Sequence, residues 1–306
     1  MKNEKLFMTL LICFGVLMIF GIVCIINLKG TAYNNLWANQ ELKQQNENNN
    51  NNSTTIPTHK DLPPLNVLLL GLDKDGCRTD VLLLASYDPN RKIVNLLSIP
   101  RDTKVYYNGT AHKINSLYGK QEEKSVKAKI EEMTGMRIRY FVTVDFIGFR
   151  KLVDAFGGVK IDVPTDLKYD DPYQDLHINL KKGIQILDGN KAEQFVRFRK
   201  GNSSTEGYNG GDIMRINSQQ IFITEFIKQK ANIKYISHAD KLFDILSKYV
   251  KTDVDFSTIS PYISQILNMH DISIKSHVLP GISSMSNDVW YFVYDRNATK
   301  KVIGEF

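Results

Sequence analysis

The chain has 306 residues, with 39 Lys and Arg against 33 Asp and Glu, for a formal net charge of +6. Apolar residues make up 42% and charged residues 24%, a globular balance that excludes collagen-like and wholly disordered chains. Three Cys, two of them in an apolar N-terminal run, exclude a disulfide-stapled fold, and +6 over this length does not by itself mark a nucleic-acid binder.

Leu6 to Leu28 reads LFMTLLICFGVLMIFGIVCIINL. It is uncharged and long enough for one helical membrane span. Lys2 and Lys5 precede it, which sets the N-terminus in the cytoplasm. A cleaved signal peptide is the alternative. Against it, the run is longer than an h-region and no A-x-A-like site follows. The expected order is a cytoplasmic N-terminus at 1–5, a transmembrane signal-anchor at 6–28, a stalk at 29–64 and an extracellular domain at 65–306. The stalk holds NENNNNN at Asn46–Asn52 and cannot bury a core.

Leu65–Gly71, Val81–Tyr87 and Ile93–Ile99 are short apolar runs between turn signals and read as buried strands. Asp88-Pro89-Asn90-Arg91 predicts a hairpin turn between the second and third. Ser125–Thr134 reads as a helix stopped by Gly135, Tyr140–Val144 as a strand, Phe146–Phe156 as a helix and Val159–Val163 as a strand. Asp188–Phe198 is helical in pattern. A long helix opens at Asp212 as N-cap, with Ile213, Ile216, Ile223 and Ile227 on one face. Ala239–Val250 and Pro261–Leu267 read as helices and Ser273–Leu279 as a strand. Strands and helices interleave, so one α/β domain is the economical reading.

Antiparallel succession of the first three strands places Asp73, Arg78, Asp80, Arg101 and Asp102 at one edge of the sheet. Arg197 and Arg199 end a helix, and Asp212 and Arg215 open another. Arg forks bind phosphate oxygens at two points, and carboxylates hold a divalent metal that shares the phosphate charge. Strand-end salt bridges and turn residues account for the same pattern. The residues alone therefore reach a phosphate site, with metal assistance left open.

The pattern NVLLLGLD…RTDVLLLASYDPNRKIVNLLSIPRDT resembles the start of the LytR–CpsA–Psr (LCP) domain. Lys113-Ile114-Asn115 with Tyr118, LVDAFGGVKIDVP at 152–164, LDGNKAEQFVRFRK at 187–200 and GDIMRINSQQ at 211–220 resemble its later blocks, in order. Tyr249–Asp253 and Leu279-Pro280-Gly281 echo its tail. The resemblance covers 65–306 and implies a mixed central β-sheet flanked by helices, with a hydrophobic slot for a lipid.

It also implies a cell-wall ligase of Gram-positive bacteria. Such enzymes move a glycopolymer, of teichoic acid or capsular type, from undecaprenyl pyrophosphate onto a peptidoglycan hydroxyl. The implied partners are that lipid-linked glycopolymer, peptidoglycan and membrane lipid, with no nucleic acid. By this resemblance Asp73 and Asp80 hold Mg²⁺, with Arg78 between them. Arg101 and Asp102 match its P-R-D, Arg197 and Arg199 its Arg pair, Asp212 and Arg215 its G-D-x-x-R, and Gln219 its Gln. Asp73, Asp80, Arg101 and Arg197 are the implied catalytic set. Arg78, Arg101, Lys113, Arg197, Arg199, Arg215 and Gln219 are the implied pyrophosphate binders, supported by Asp102, Asn115 and Asp212.

Asp73 is the candidate base and Asp80 the runner-up. Ser218 stands where the family pattern has a second Arg, and Gly119-Lys120 replaces its Gly-Gly. The stripes Ile213, Ile216, Ile223, Phe226 and Ile227, and Phe141, Val144, Phe146 and Phe149, serve either as plain core or as walls of the lipid slot. The alternative function is a non-catalytic polyprenyl-phosphate binder with a regulatory role.

Overall fold

A computed structural model describes residues 62–73, 75–172, 176–202, 211–230, 244–245, 247–254, 258, 261–262 and 273–306. The expected membrane span, nearly all of the stalk, and much of the helices expected at 239–250 and 261–267 lie outside the described residues. Among the described residues no helix is long and apolar enough to cross a membrane.

In chain order the strands and helices begin with β1 (Leu65–Leu72), β2 (Thr79–Asp88), β3 (Ile93–Ser98), β4 (Lys104–Tyr107), β5 (Thr110–Lys113) and α1 (Glu123–Thr134). They continue with β6 (Tyr140–Val144), α2 (Phe146–Ala155), β7 (Val159–Val163), β8 (Leu167–Asp171), β9 (Leu176–Leu180) and β10 (Gly183–Leu187). The rest are α3 (Gly189–Arg197), α4 (Gly211–Lys230), β11 (Val250–Thr252), β12 (Ser273–Val278), β13 (Gly281–Ser286), β14 (Val289–Tyr294) and α5 (Arg296–Ile303). The central sheet is mixed, in the order β11-β6-β1-β2-β3-β12. β1, β2 and β3 form an antiparallel meander, while β6 joins β1 and β12 joins β3 in parallel.

The strand runs are apolar throughout because both faces of the sheet are covered. Leu68, Leu70, Leu82, Leu84 and Leu97 pack with Val126 and Ile130 of α1 and with Phe292 of β14. Val67, Leu83, Ala85, Val94 and Leu96 point to the opposite face, against Tyr262 and Val254. The turn at Asp88 forms as expected, with its Oδ1 accepting the N–H groups of Asn90 at 2.9 Å and Arg91 at 3.0 Å.

α2, α3 and α4 cover the β1–β6 half of the sheet. Asp145 caps α2, its side chain accepting from Gly148 N at 2.6 Å. Asp188 caps α3, accepting from Lys191 N at 2.8 Å. An Asp N-cap satisfies one orphan amide and contributes about 1 kcal/mol. Gly189 follows at a close approach: an added Cβ would collide with the Arg150 carbonyl on α2. α4 opens at Gly211, so Asp212 lies inside its first turn rather than at the expected N-cap. Its most buried aromatic is Phe222, 1% exposed, which the expected isoleucine face did not include.

Candidate functional site

The first feature of the site is a defect in the sheet. β1 and β2 pair Gly71 with Val81 and then Leu72 with Thr79, so the ladder skips Asp80. A β-bulge of this kind frees one residue from pairing and re-aims its side chain. β2 and β3 pair Leu83 with Ser98, and Ile99 N donates to Leu82 O at 2.9 Å. Continuing that register sets Arg101 opposite Asp80. Their side chains meet, Arg101 Nη1 to Asp80 Oδ1, at 2.5 Å. Both side chains are about one-quarter exposed, 25% and 22%, so the pair faces a cleft rather than the core.

Asp73 closes the loop that carries Arg78. Its Oδ1 accepts the backbone N–H groups of Cys77 at 3.0 Å and Arg78 at 3.1 Å, and its own N–H donates to Arg78 O at 2.9 Å. Gly119 packs onto this loop, where a Cβ would lie 2.9 Å from the Cys77 carbonyl oxygen. Arg78 is exposed. Past the bulge, Lys113 Nζ lies 3.2 Å from Asp102 Oδ1. The buried Asn115 donates its backbone N–H to Arg101 O at 3.2 Å. Lys113 and Asn115 thus flank the P-R-D segment. Tyr118, nearby in chain, has its phenol held above the ordinary range by burial, against the pull of Lys251 and a hydrogen bond with Thr143.

A small notch sits between the bulge and α4, where Asp80, Arg101, Ser98, Arg215, Gln219 and Gln220 meet the apolar side chains of Leu82, Ile99 and Ile216. Beside it lies an apolar cavity of about 130 Å³. Its walls include Leu69 and Leu72 of β1, Val81 and Leu83 of β2, Val142 and Val144 of β6, Phe146 and Phe149 of α2, Val196 of α3, and Phe222 and Ile223 of α4. Val81, Leu83, Gln219 and Ile223 belong to both spaces. The arrangement is an apolar slot with a charged mouth. Its size is close to the roughly 150 Å³ apolar cavity that holds a benzene.

The expected stripes divide accordingly. Val144, Phe146, Phe149 and Ile223 line the cavity, and Ile216 lines the notch. Phe141 packs in the core on the α1 face of the sheet, and Phe226 packs against Phe156 at 5.2 Å between ring centroids. The side chains of Asp212, Ile213 and Ile227 lie outside the described residues.

Arg197 approaches from α3. Its guanidinium carbon sits 4.8 Å from the centroid of the Phe146 ring, which is a cavity wall. Gln219 Nε2 donates to the neighbouring Val196 carbonyl at 3.3 Å, tying the end of α3 to the shared wall. Arg199, two residues further on and past the end of α3, is exposed. The structure therefore brings Asp80, Arg101, Arg215 and Gln219 to one notch and rests Arg197 on Phe146, a wall of the adjoining cavity.

The model of the LytR_cpsA_psr family matches residues 26–305 of the chain. The chain belongs to this family. Among its relatives, a Bacillus anthracis protein is 30% identical over 98% of this chain and 95% of its own length. It carries the name polyisoprenyl-teichoic acid--peptidoglycan teichoic acid transferase TagU. The Bacillus subtilis protein of the same name is 28% identical over 79% of this chain and 76% of its own. The crystal structure of B. subtilis TagV superposes with a TM-score of 0.64 at 27% identity, covering 79% of this chain and 95% of that one. The mixed sheet flanked by helices is thus the LCP architecture.

Within this LCP domain, no group of three or more His, Cys, Asp or Glu among the described residues is arranged to hold a metal. Asp73, which closes the loop after β1, and Asp80, in the bulge of β2, supply two carboxylates at most. That donor set fits Mg²⁺, which commonly binds one or two carboxylates and takes phosphate oxygens and water for the rest.

Ser218 is 1% exposed, so the position where the family pattern has Arg is a buried hydroxyl here. Two residues escaped the sequence reading. Gln220 donates through Nε2 to Ser98 Oγ at 2.9 Å and to His277 O at 3.2 Å, fastening α4 to β3 and β12. Glu193 accepts from Arg197 Nη1 at 2.8 Å and also from Arg150 Nη1. Its i,i+4 spacing to Arg197 was the one signal available.

Proposed function

We propose that this protein is a phosphotransferase that moves a glycopolymer from a polyprenyl pyrophosphate carrier, of undecaprenyl type, onto a peptidoglycan hydroxyl. The observation that carries this reading is the apolar cavity opening beside the Asp80–Arg101–Arg215 notch. The first suits a short stretch of a prenyl chain, and the arginines at the second suit the charge of a diphosphate at its mouth. The names of its relatives, teichoic acid transferases, support the same chemistry and favour a teichoic-acid-type donor over a capsular one.

In this reading Arg101, Arg215, Arg197 and Gln219 bind the diphosphate oxygens, with Arg78, Arg199 and Lys113 adding positive charge around the mouth. The peptidoglycan hydroxyl oxygen attacks the phosphorus that bears the glycopolymer. The bond from that phosphorus to the bridging oxygen breaks, and polyprenyl phosphate leaves. The hydroxyl proton passes to a carboxylate, Asp73 in our assignment, with Asp80 as the second choice. Fixed cations aimed at the leaving oxygen stabilise the charge that builds there. Asp73 and Asp80 would hold Mg²⁺, which when bound shares the diphosphate charge. Asp102 and Asn115 brace the P-R-D segment through Lys113 and the Arg101 carbonyl.

In this reading residues 6–28 are a single-pass anchor in the cell membrane, N-terminus inside and LCP domain outside, which would put a lipid-linked donor in reach. The test is incubation of the full-length chain with a polyprenyl-pyrophosphate glycan and peptidoglycan. Glycan joined through a phosphodiester, and lost in Arg101→Ala, supports the transferase. Tight donor binding with no product at any pH would instead favour a lipid-binding regulator.

A further inference from the structure

We infer that Glu193 is a positioning residue that presets Arg197 for the diphosphate of the donor; this rests on the donor reading above. Glu193 is buried, its side chain 10% exposed, yet it carries a carboxylate between two helices. Its Oε1 accepts from Arg197 Nη1 at 2.8 Å within α3, and its Oε2 accepts from Arg150 Nη1 on α2. A buried carboxylate is costly unless paired and hydrogen-bonded, and both of its oxygens are engaged.

The consequence lies at the other end of Arg197. The same guanidinium rests against the Phe146 ring, and Phe146 and Val196 wall the cavity. One edge of the fork is fixed by Glu193 and one face by the aromatic ring. A long side chain otherwise loses rotamer freedom when it grips a ligand, and an arginine held in advance avoids that loss. Glu193 precedes Arg197 by four residues, the favourable orientation for such a pair on a helix.

Arg150 solves the second problem. A Glu193–Arg197 pair alone would be neutral and would do little for an anionic headgroup. With Arg150 on the other oxygen, the three side chains keep a net charge of +1 beside the slot.

The test is equilibrium binding of farnesyl pyrophosphate and of farnesol to the full-length chain in detergent. Wild type is expected to prefer the pyrophosphate. Glu193→Gln is expected to weaken farnesyl pyrophosphate about tenfold and leave farnesol unchanged. In an Arg197→Lys background the same change is expected to add nothing. Equal loss for both ligands, no loss for either, or an undiminished effect in the Arg197→Lys background overturns the positioning role. If Glu193→Gln does not fold, as read by melting, Arg150→Met serves. It is expected to weaken the pyrophosphate selectively, and an unchanged preference overturns the inference. A wild type that binds farnesol as well as its pyrophosphate overturns the donor reading itself, and this inference with it.

Discussion

Asp80 is the residue that the β1–β2 ladder skips, and Arg101 is the residue that stands opposite it one strand away. The bulge turns the carboxylate out of the ladder, and the end of β3 delivers the guanidinium to it at 2.5 Å. Neither strand is irregular elsewhere in its pairing. The pair is partly solvated, so its worth to stability is small. Its placement at the notch is what gives it consequence.

Arg101→Ala is therefore expected to lower the rate of glycan transfer by roughly 10²–10³-fold, the cost of removing one well-placed donor from a developing anion. The melting temperature should move little. Arg101→Lys keeps the charge and loses the two-point fork, so it should fall between. Initial rates on a polyprenyl-pyrophosphate glycan decide this. An Arg101→Ala enzyme with wild-type rates would remove the notch from the mechanism.

Val144→Phe fills the cavity from its β6 wall. Filling apolar space with apolar atoms need not destabilise, so the melting temperature should hold or rise. The KM for a long-chain polyprenyl donor should rise by about tenfold or more, with a smaller change for a donor with a very short chain. Equal changes for both donors would show that the chain lies elsewhere.

Gly189→Ala places a methyl against the Arg150 carbonyl, which is backbone and cannot swing aside. The α2–α3 contact has to open, at a cost of about 1–3 kcal/mol. Chemical denaturation measures that loss. Because α3 ends at Arg197, transfer should drop alongside stability, whereas Gly135→Ala, with nothing within 4 Å of the added methyl, should lose stability alone through its positive φ of 72°.

Removal of divalent metal is expected to lower transfer by an order of magnitude or more, with recovery on adding Mg²⁺. Asp73→Ala should combine a weaker metal response with a looser 73–78 loop, since Asp73 Oδ1 accepts two backbone amides there. Calorimetric titration of Mg²⁺ with farnesyl pyrophosphate present separates the two effects. Transfer that is full in chelator would exclude the metal.

Acid should weaken the fold through His277. Burial holds its imidazole below the ordinary value of 6.5, with Lys275 adding to the effect and Glu305 opposing it. Below pH 6.5 the unfolded chain takes up a proton that the folded one resists. Stability therefore falls as pH drops through that value, until the folded imidazole is protonated too. His277→Gln should flatten the slope of melting temperature against pH just below 6.5.

The sheet was legible where apolar runs were continuous. Leu65–Leu72, the β2–β3 hairpin and β6 appear within a residue or two of their expected bounds. The hairpins β4–β5 and β13–β14 were not. TAHK and GISSMS carry little apolar signal; VWYFVY of β14 is a continuous apolar run, but it lies largely exposed and only Phe292 reaches the core, so its run does not mark a buried strand. For the site, the convergence of Asp80 and Arg101 followed from strand order alone. The bulge did not, because one skipped residue leaves no mark on composition. The Arg150–Glu193–Arg197 triad joins two helices, and no local spacing brings Arg150 to Glu193.

One edge of the central sheet also sets an order of assembly. β1, β2 and β3 are neighbours in chain and can zip together from their turns. β12, which closes the free edge of β3 in parallel register from Ser273 opposite Ile93, arrives only after most of the chain has been made. Until then β3 shows a bare apolar margin, open to strands of other molecules. Late closure of this kind slows folding, since a long loop must be gathered before its contacts repay it. A chain cut short before Ser273 would keep the bulge and its arginine and still lack the strand that shields them from aggregation.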